Sequence, residues 1–428
     1  MSATLAVPTL THRSAVAGPR LATEKLRSAL LWLTGLSGAF VFIEPSPYEL
    51  VGMVTMLVFV LTGLTLRPGL APLVLLILLL NVGYALSVIQ VIDQKDPVIW
   101  VAVSAFLAGT AIFYAAMLGS NTEARLRWLL RGYLAAAMIA SVVAVAAYFR
   151  LFGGGSETFL LYGRARGTFN DPNVLGAFLV LPGLLIVQRL LSGRLAALLG
   201  NSVLLLVLLA ALLLSFSRGA WVQFAFAALV LLGLTFLTSR SLNERSRIIA
   251  IAAFGALLIV LFVAALLSIG QVADLFKERA TLDQSYDLGR YGRFGRYSLG
   301  AELALDHPFG IGPSTFAKVF FPEDPHNTLL NSFMSGGWLG GFAFLTLTLV
   351  TLLKGLRFVF VATPWRPTYL VVYAAYLGLV AESMIIDVDH WRHYFLILGV
   401  LWGLMAVSQP YLRGSARRTD VGLAPVHG

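Results

Sequence analysis

The chain has 428 residues, of which 58% are hydrophobic and 12% charged, with a mean hydropathy of +0.83. Soluble domains carry about a quarter charged residues, so this composition excludes an ordinary soluble protein and describes one that crosses a membrane many times. The net charge of +10 is first a matter of membrane orientation rather than of a nucleic-acid partner, and the absence of cysteine excludes disulfide scaffolding and thiolate metal sites.

Residues 1–27 lack an apolar run ending in a small-residue cleavage site and read as a cytoplasmic tail. Apolar runs long enough to cross about 30 Å of hydrocarbon follow at 28–43, 47–66, 70–92, 97–118, 127–149, 173–190, 195–215, 219–239, 248–269, 328–353, 367–386 and 393–411. The expected fold is therefore an all-α integral membrane protein of about twelve transmembrane helices, with a membrane domain over 28–411 and a second tail over 412–428. One polar interval, 270–327, is far longer than the other connections. It carries aromatics and a helical pattern, so it reads as a folded element with short helices of its own.

Twelve spans make the connections alternate sides, which the charges can check. Nineteen of the 31 basic residues fall on one side, from Arg13 and Arg20 through Arg125, Arg127 and Arg131 to Arg417 and Arg418. Only Glu24, Glu123, Glu244 and Asp420 accompany them among the acids. Positive-inside bias places that side, and both termini, in the cytoplasm, and puts the 150–172 and 270–327 loops outside.

The outward basic residues then stand out, because the bias disfavours them: Arg150, Arg164 and Arg166 after the fifth span, Arg218 at the start of the eighth, and Lys277, Arg279, Arg290, Arg293, Arg296 and Lys318 in the long loop. In Arg164-Ala-Arg166-Gly-Thr-Phe-Asn170-Asp171-Pro172-Asn173, Asn170 or Asp171 reads as a helix cap, Pro172 as the first turn and Gly167 as a bend. Capping leaves Arg164 and Arg166 unexplained, since cations beside a helix N-terminus oppose its dipole. A bound anion resolves that conflict. In Ser217-Arg218-Gly219-Ala220-Trp221 the arginine sits either as an interfacial side chain beside a belt tryptophan or as a fixed fork for a diphosphate. Arg290, Arg293 and Arg296 recur every third residue, with Tyr291, Phe294 and Tyr297 on another side of the same helix. That pattern suits a helix lying on the membrane as well as one facing a ligand.

His326 closes the long loop in Asp324-Pro325-His326-Asn327-Thr328, at the outer start of a span. A lone histidine is usually structural, but neutral imidazole in this place can take a proton from a sugar hydroxyl. Glu382, Asp387, Asp389, His390, Arg392 and His393 form a second outer cluster without metal-ligand spacing, so no metal site is expected.

The phrases Arg166-Gly-Thr-Phe-Asn-Asp-Pro-Asn173, Ser217-Arg-Gly-Ala-Trp221, Pro308-Phe-Gly-Ile-Gly312, His326-Asn-Thr328 and Gly336-Gly-Trp-Leu-Gly340 together resemble the O-antigen ligase and polymerase family of bacterial membrane glycosyltransferases. The likeness runs over roughly 160–345. It implies about twelve helices with one large periplasmic loop, in the bacterial inner membrane. It also implies a glycan donor on undecaprenyl pyrophosphate, inverting transfer without metal or other cofactor, and an acceptor glycan that is either lipid A core or a growing polysaccharide. By position, Arg166 and Arg218 correspond to arginines that hold the pyrophosphate and His326 to the residue that activates the acceptor hydroxyl. Arg164, Arg290 and Arg293 are expected to add charge to the donor site, and Asn170, Asn173 and Asn327 to support it. Nucleic acid is not an expected partner. A transporter or flippase for the same lipid-linked glycan is the alternative, although no internal repeat or mid-membrane charge pattern favours it.

Overall fold

The computed structural model describes residues 17–43, 45–193, 197–280, 292–321 and 323–421; within these, the side chains of 17–20, 279–280, 293–294 and 413–421 are not described. It is about 80% helical. In chain order the helices are α1 (Ala17–Ser37), α2 (Pro47–Gly63), α3 (Ala71–Val88), α4 (Lys95–Met117), α5 (Thr122–Tyr148), α6 (Pro172–Ser192), α7 (Leu198–Leu214) and α8 (Arg218–Thr238). They continue with α9 (Leu242–Leu267), α10 (Gly270–Ala280), α11 (Arg293–Asp306), α12 (Thr315–Val319), α13 (Thr328–Val359), α14 (Arg366–Glu382) and α15 (Arg392–Val421). A two-stranded hairpin, β1 (Leu160–Leu161) and β2 (Arg164–Ala165), lies between α5 and α6.

A helix occupies each of the twelve stretches read as spans. Eight are long and apolar enough to cross a membrane, and α2 and α7 are shorter apolar helices. α1 begins at Ala17 and α15 continues to Val421, so helix extends into both stretches read as tails. The physical reason is that backbone hydrogen bonding can carry a helix past the end of its apolar run, so hydropathy marks the run and not the helix end. The long loop contains α10, α11 and α12, as its helical pattern indicated.

Burial separates helices that hydropathy makes alike. The apolar stretches of α6 and α15 are mostly buried within the protein, whereas α9, whose apolar stretch has the highest hydropathy of the eight long spans, buries only Ile248. A helix apolar on all sides yet uncovered by protein is matched by hydrocarbon, and α9 therefore presents itself to lipid.

Close helix crossings depend on small residues. Where α3 crosses α13, a Cβ on Gly83 would stand 2.6 Å from both Gly336 O and Gly340 N, so the backbones meet directly. One residue on, α13 breaks: Gly337 adopts φ 62°, ψ −166°. An unbroken helix would pair Trp338 N–H with Met334 O. Here Trp338 N donates instead to Pro308 O (2.8 Å), Met334 O accepts from Ile311 N (2.7 Å), and Trp338 Nε1 donates to Ala304 O (2.9 Å). The Pro308–Gly312 turn thus supplies the partners that the break releases, which is what permits non-helical backbone inside an apolar bundle. Gly337→Ala would put a Cβ against Pro308 O and 2.7 Å from Phe309 C at a backbone angle side chains resist. The expected cost is about 2–4 kcal/mol, read as a lowered Tm in detergent, with an unchanged Tm as the contrary result.

Candidate functional site

The end of the bundle carrying the long loop gathers the phrases singled out in the sequence. It is also where the backbone is strained: of the six described non-glycine residues with positive φ, Arg150, Tyr162, Phe216, Ser314 and His326 lie there, and only Asn121 lies at the other end. Such angles persist only where their surroundings enforce them, and they concentrate at working sites.

The first arginines are placed by the hairpin. Leu160 pairs with Ala165 and Leu161 with Arg164, so Tyr162 and Gly163 form a two-residue turn, both with positive φ as its twist requires. Arg164 then reaches away from the hairpin, its Nε donating to Ser215 O (2.8 Å) and an Nη to Asn173 Oδ1 (2.7 Å). It acts as a strut between the 150–171 loop and the α7–α8 turn, and Asn173 is its anchor. Arg166 lies along the loop, donating to Thr158 O (3.0 Å) and Asn170 O (3.3 Å). Asp171 caps α6 by accepting from Asn173 N at 2.6 Å, with Pro172 following it as expected. Ser217 caps α8 by accepting from Ala220 N, which puts Arg218 at the first helical position.

Contacts then run from Arg218 toward His326. A Cβ on Gly219 would stand 3.3 Å from Glu382 Oε1 at the end of α14, so α8 begins directly against that buried carboxyl. The next residue, Ser383, accepts from Thr328 N (2.9 Å) at the start of α13. Thr328 Oγ1 donates to Ile386 O (3.0 Å) and accepts from Val388 N (3.0 Å), so the 383–388 segment wraps the α13 N-terminus. Asn327 caps that helix, accepting from Leu330 N at 3.0 Å, while its Nδ2 donates to Met384 O at 3.1 Å.

His326 itself has φ 54°. Its Nδ1 is 3.3 Å from Asp387 Oδ2, and Asp387 Oδ1 accepts from Asn331 Nδ2, one turn into α13. Tyr297 OH donates to His326 O and lies 3.1 Å from Met384 O, holding the backbone of both segments. Glu323 Oε2 lies 3.9 Å from Nε2. A proton on Nδ1 shared with Asp387 leaves the Nε2 lone pair available, which is the arrangement a general base needs. Burial pushes the Asp387 carboxyl above its usual range, against the opposing hydrogen bond from His326.

Asp324 is pushed up to about 6, by burial first and then by Asp387 and Asp389. A carboxyl raised on folding stabilises the fold below its unfolded value near 3.8 and loses that contribution as pH climbs through about 6. Asp324→Asn is therefore expected to have a higher Tm than the wild type at pH 7, with the gap closing toward pH 4; a gap independent of pH would contradict this.

The spacing of Arg290, Arg293 and Arg296 reads as a helical face that suits either the membrane surface or a ligand; α11 runs from Arg293, and Arg296 is 3% exposed. Its guanidinium bonds Glu323 Oε2 (3.0 Å) and Asp324 O (3.2 Å) and lies 4.8 Å from the Phe321 ring centre, so it fastens the segment before His326. Spacing alone could not reveal this, because Phe321 and Glu323 are brought to Arg296 by the chain reversal through α12. Arg290 lies outside the described residues, and only the backbone of Arg293 is described. Asp387, Asn331 and Tyr297 were not read as site residues. Asp387 belonged to an outer acidic cluster visible in the sequence, but nothing there joined it to His326. Arg392 from that cluster pairs with Glu49 at 2.6 Å, and no described His, Asp and Glu side chains are grouped to hold a metal ion. A cavity of about 170 Å³ lies beside the site, lined among others by Asn170, Asp171, Trp391, Arg392 and His393.

The fold and this polar end define an all-helical, multi-pass membrane protein with a candidate acid–base and anion site at one end of its bundle. Residues 203–345, about a third of the chain, match the sequence model of the family described as O-antigen ligase, and over that stretch the chain is similar to this family. The match includes Arg218, the long loop, His326 and the broken α13, while Arg164, Arg166 and Asp387 lie outside it. No curated protein matches the chain. The family supports a role of membrane glycosyltransferase type in polysaccharide biosynthesis.

Proposed function

We propose that the protein transfers a glycan from undecaprenyl pyrophosphate to an acceptor sugar hydroxyl at the periplasmic face of a bacterial inner membrane. In this reading the helices at the twelve apolar stretches cross the bilayer, the tails at 1–27 and 412–428 are cytoplasmic, and the 150–172 and 270–327 loops form the active face. The observation that carries it is His326, held in a left-handed conformation at the α13 N-terminus and hydrogen-bonded to Asp387, at the same end of the bundle as Arg166 and Arg218.

The chemistry follows from those groups. His326 Nε2 accepts the proton of the acceptor hydroxyl as that oxygen attacks the anomeric carbon, and Asp387 steadies the imidazolium. The bond from the anomeric carbon to the pyrophosphate oxygen breaks on the opposite side, inverting the centre. Arg166 and Arg218 receive the negative charge that develops on the leaving pyrophosphate, fixed cations in place of a metal ion. Arg164 keeps the α7–α8 turn in place, Arg293 and Arg290 add charge from the start of α11 and the residues before it, and Asn170, Asn173 and Asn327 hold the backbones that position these groups. The lipid tail lies in the bilayer alongside the bundle.

Purified protein incubated with an undecaprenyl-pyrophosphate-linked repeat unit, with and without lipid A core, tests this. A ladder of products without added core identifies a polymerase, and one discrete shift that needs core identifies a ligase. Movement of the lipid-linked glycan across vesicles with no change in chain length would overturn the transferase reading in favour of transport.

A further inference from the structure

The opposite end of the same bundle holds a second, larger cavity, of about 450 Å³. It opens between the beginning of α5, the end of α6 and the beginning of α14, and three arginines line it: Arg127, Arg131 and Arg189. Arg127 and Arg131 are four residues apart and share a face of α5, and Arg189 is in the last turn of α6, where the helix dipole favours a cation.

Two other arginines at this end are neutralised. Arg27 and Arg125 are buried and share Glu24, at 2.5 and 2.7 Å, and Arg125 also donates to Met117 O. The cavity arginines differ: among the described residues none of the three makes an ion pair or a hydrogen bond, and Arg131 has only the face of Trp128, 5.3 Å away. Glu123 is the one carboxylate in the lining, against three guanidinium groups. Arg131 and Arg189 repel one another across the space. Three exposed cations lining one cavity, with no side-chain ion pair or hydrogen bond among the described residues, form an arrangement that an anion relieves. The apolar residues beneath them, Leu126, Leu130, Leu185 and Val371, are buried in the bundle, so the cavity ends at the level where helices read as membrane spans stop. Lipid phosphates lie at that level, and a lipid anchored in the surrounding bilayer brings its phosphate there as a soluble ion does not.

We propose that this cavity binds the phosphate of an anionic phospholipid headgroup. The site is separate from the His326 end and takes no part in the transfer reaction. It holds the inner ends of α5, α6 and α14 together through one shared ligand, so the lipid stabilises the bundle by mass action.

The test is thermal unfolding of the full chain in mild detergent, titrated with short-chain phosphatidylglycerol, phosphatidylcholine or inorganic phosphate. Phosphatidylglycerol is expected to raise Tm in a saturable way, and phosphatidylcholine is not. In Arg131→Gln and Arg189→Gln the midpoint of that rise should move up roughly tenfold or more, as expected for losing a charged hydrogen bond. Glu123→Gln, which removes the opposing carboxylate, should move the midpoint down; a gain of this kind cannot arise from misfolding. Equal midpoints in wild type and both arginine variants, or equal effects of the two lipids, would overturn the site. An equal effect of inorganic phosphate alone would overturn the lipid as its ligand.

Discussion

Replacing His326 by alanine is expected to lower transfer from the lipid-linked donor by about 10²–10⁴-fold, the range a positioned general base contributes. The loss should appear in kcat with donor KM little changed, because the imidazole meets the acceptor proton only as the bond forms. Asp387→Asn should lose less, since it turns the imidazole rather than removing it. The ring would then keep Nε2 but lose the partner that holds the Nδ1 proton and steadies the charged form. Single-turnover assays on purified, folded protein separate these outcomes. Activity of His326→Ala within fivefold of wild type would remove the histidine from the mechanism and leave its strained backbone as a feature of the α13 cap alone.

Arg218→Ala carries the second large effect, a loss of about 10²–10³-fold, in line with removing one fixed group that stabilises developing charge. The residue starts α8 directly against α14, so its Cα is held by the helix cap at Ser217 and by the close approach at Gly219. Arg218→Lys should recover only part of the activity, because an ammonium matches one phosphate oxygen where the guanidinium fork matches two. If the lysine variant were fully active, a point charge would suffice and the bidentate role would fall. An alanine variant with normal kinetics would move the pyrophosphate toward Arg166 or the arginines before α11.

Much of the site was legible because it rests on local signals. Asn170 or Asp171 before Pro172 marks a helix start by rules that act over three or four residues, and Asp171 forms that cap. Arg164 and Arg166 stood out because charge bias is a property of the whole loop. The purpose of individual arginines was not legible. Arg164 and Arg166 differ by two positions, yet one braces Ser215 while the other lies along its own loop. Arg296 looked like a companion of Arg293 and is instead the fastening of the 321–324 segment. Each outcome depends on which carbonyl or carboxylate the fold brings near, and spacing does not encode that.

The glycines show the same division. Pro308–Gly312 and Gly336–Gly340 are legible in the sequence only as two separate glycine-containing phrases. That one supplies hydrogen bonds to the break in the other is a pairing across the 23 residues between Gly312 and Gly336, visible only once the segments pack together.

By itself the sequence determined that this is an all-α, multi-pass membrane protein, roughly where its helices run, and which loops carry cations that the charge asymmetry does not explain. Hydrophobic length, helix caps and charge asymmetry are additive along a chain and need no partner to be read. The tertiary structure alone decided that His326 meets Asp387, 61 residues away, that Arg296 is buried, and that three arginines share a cavity at the far end. Those facts are distances between segments that close packing brings together, and a distance of 3 Å is set by the whole bundle rather than by any stretch of it.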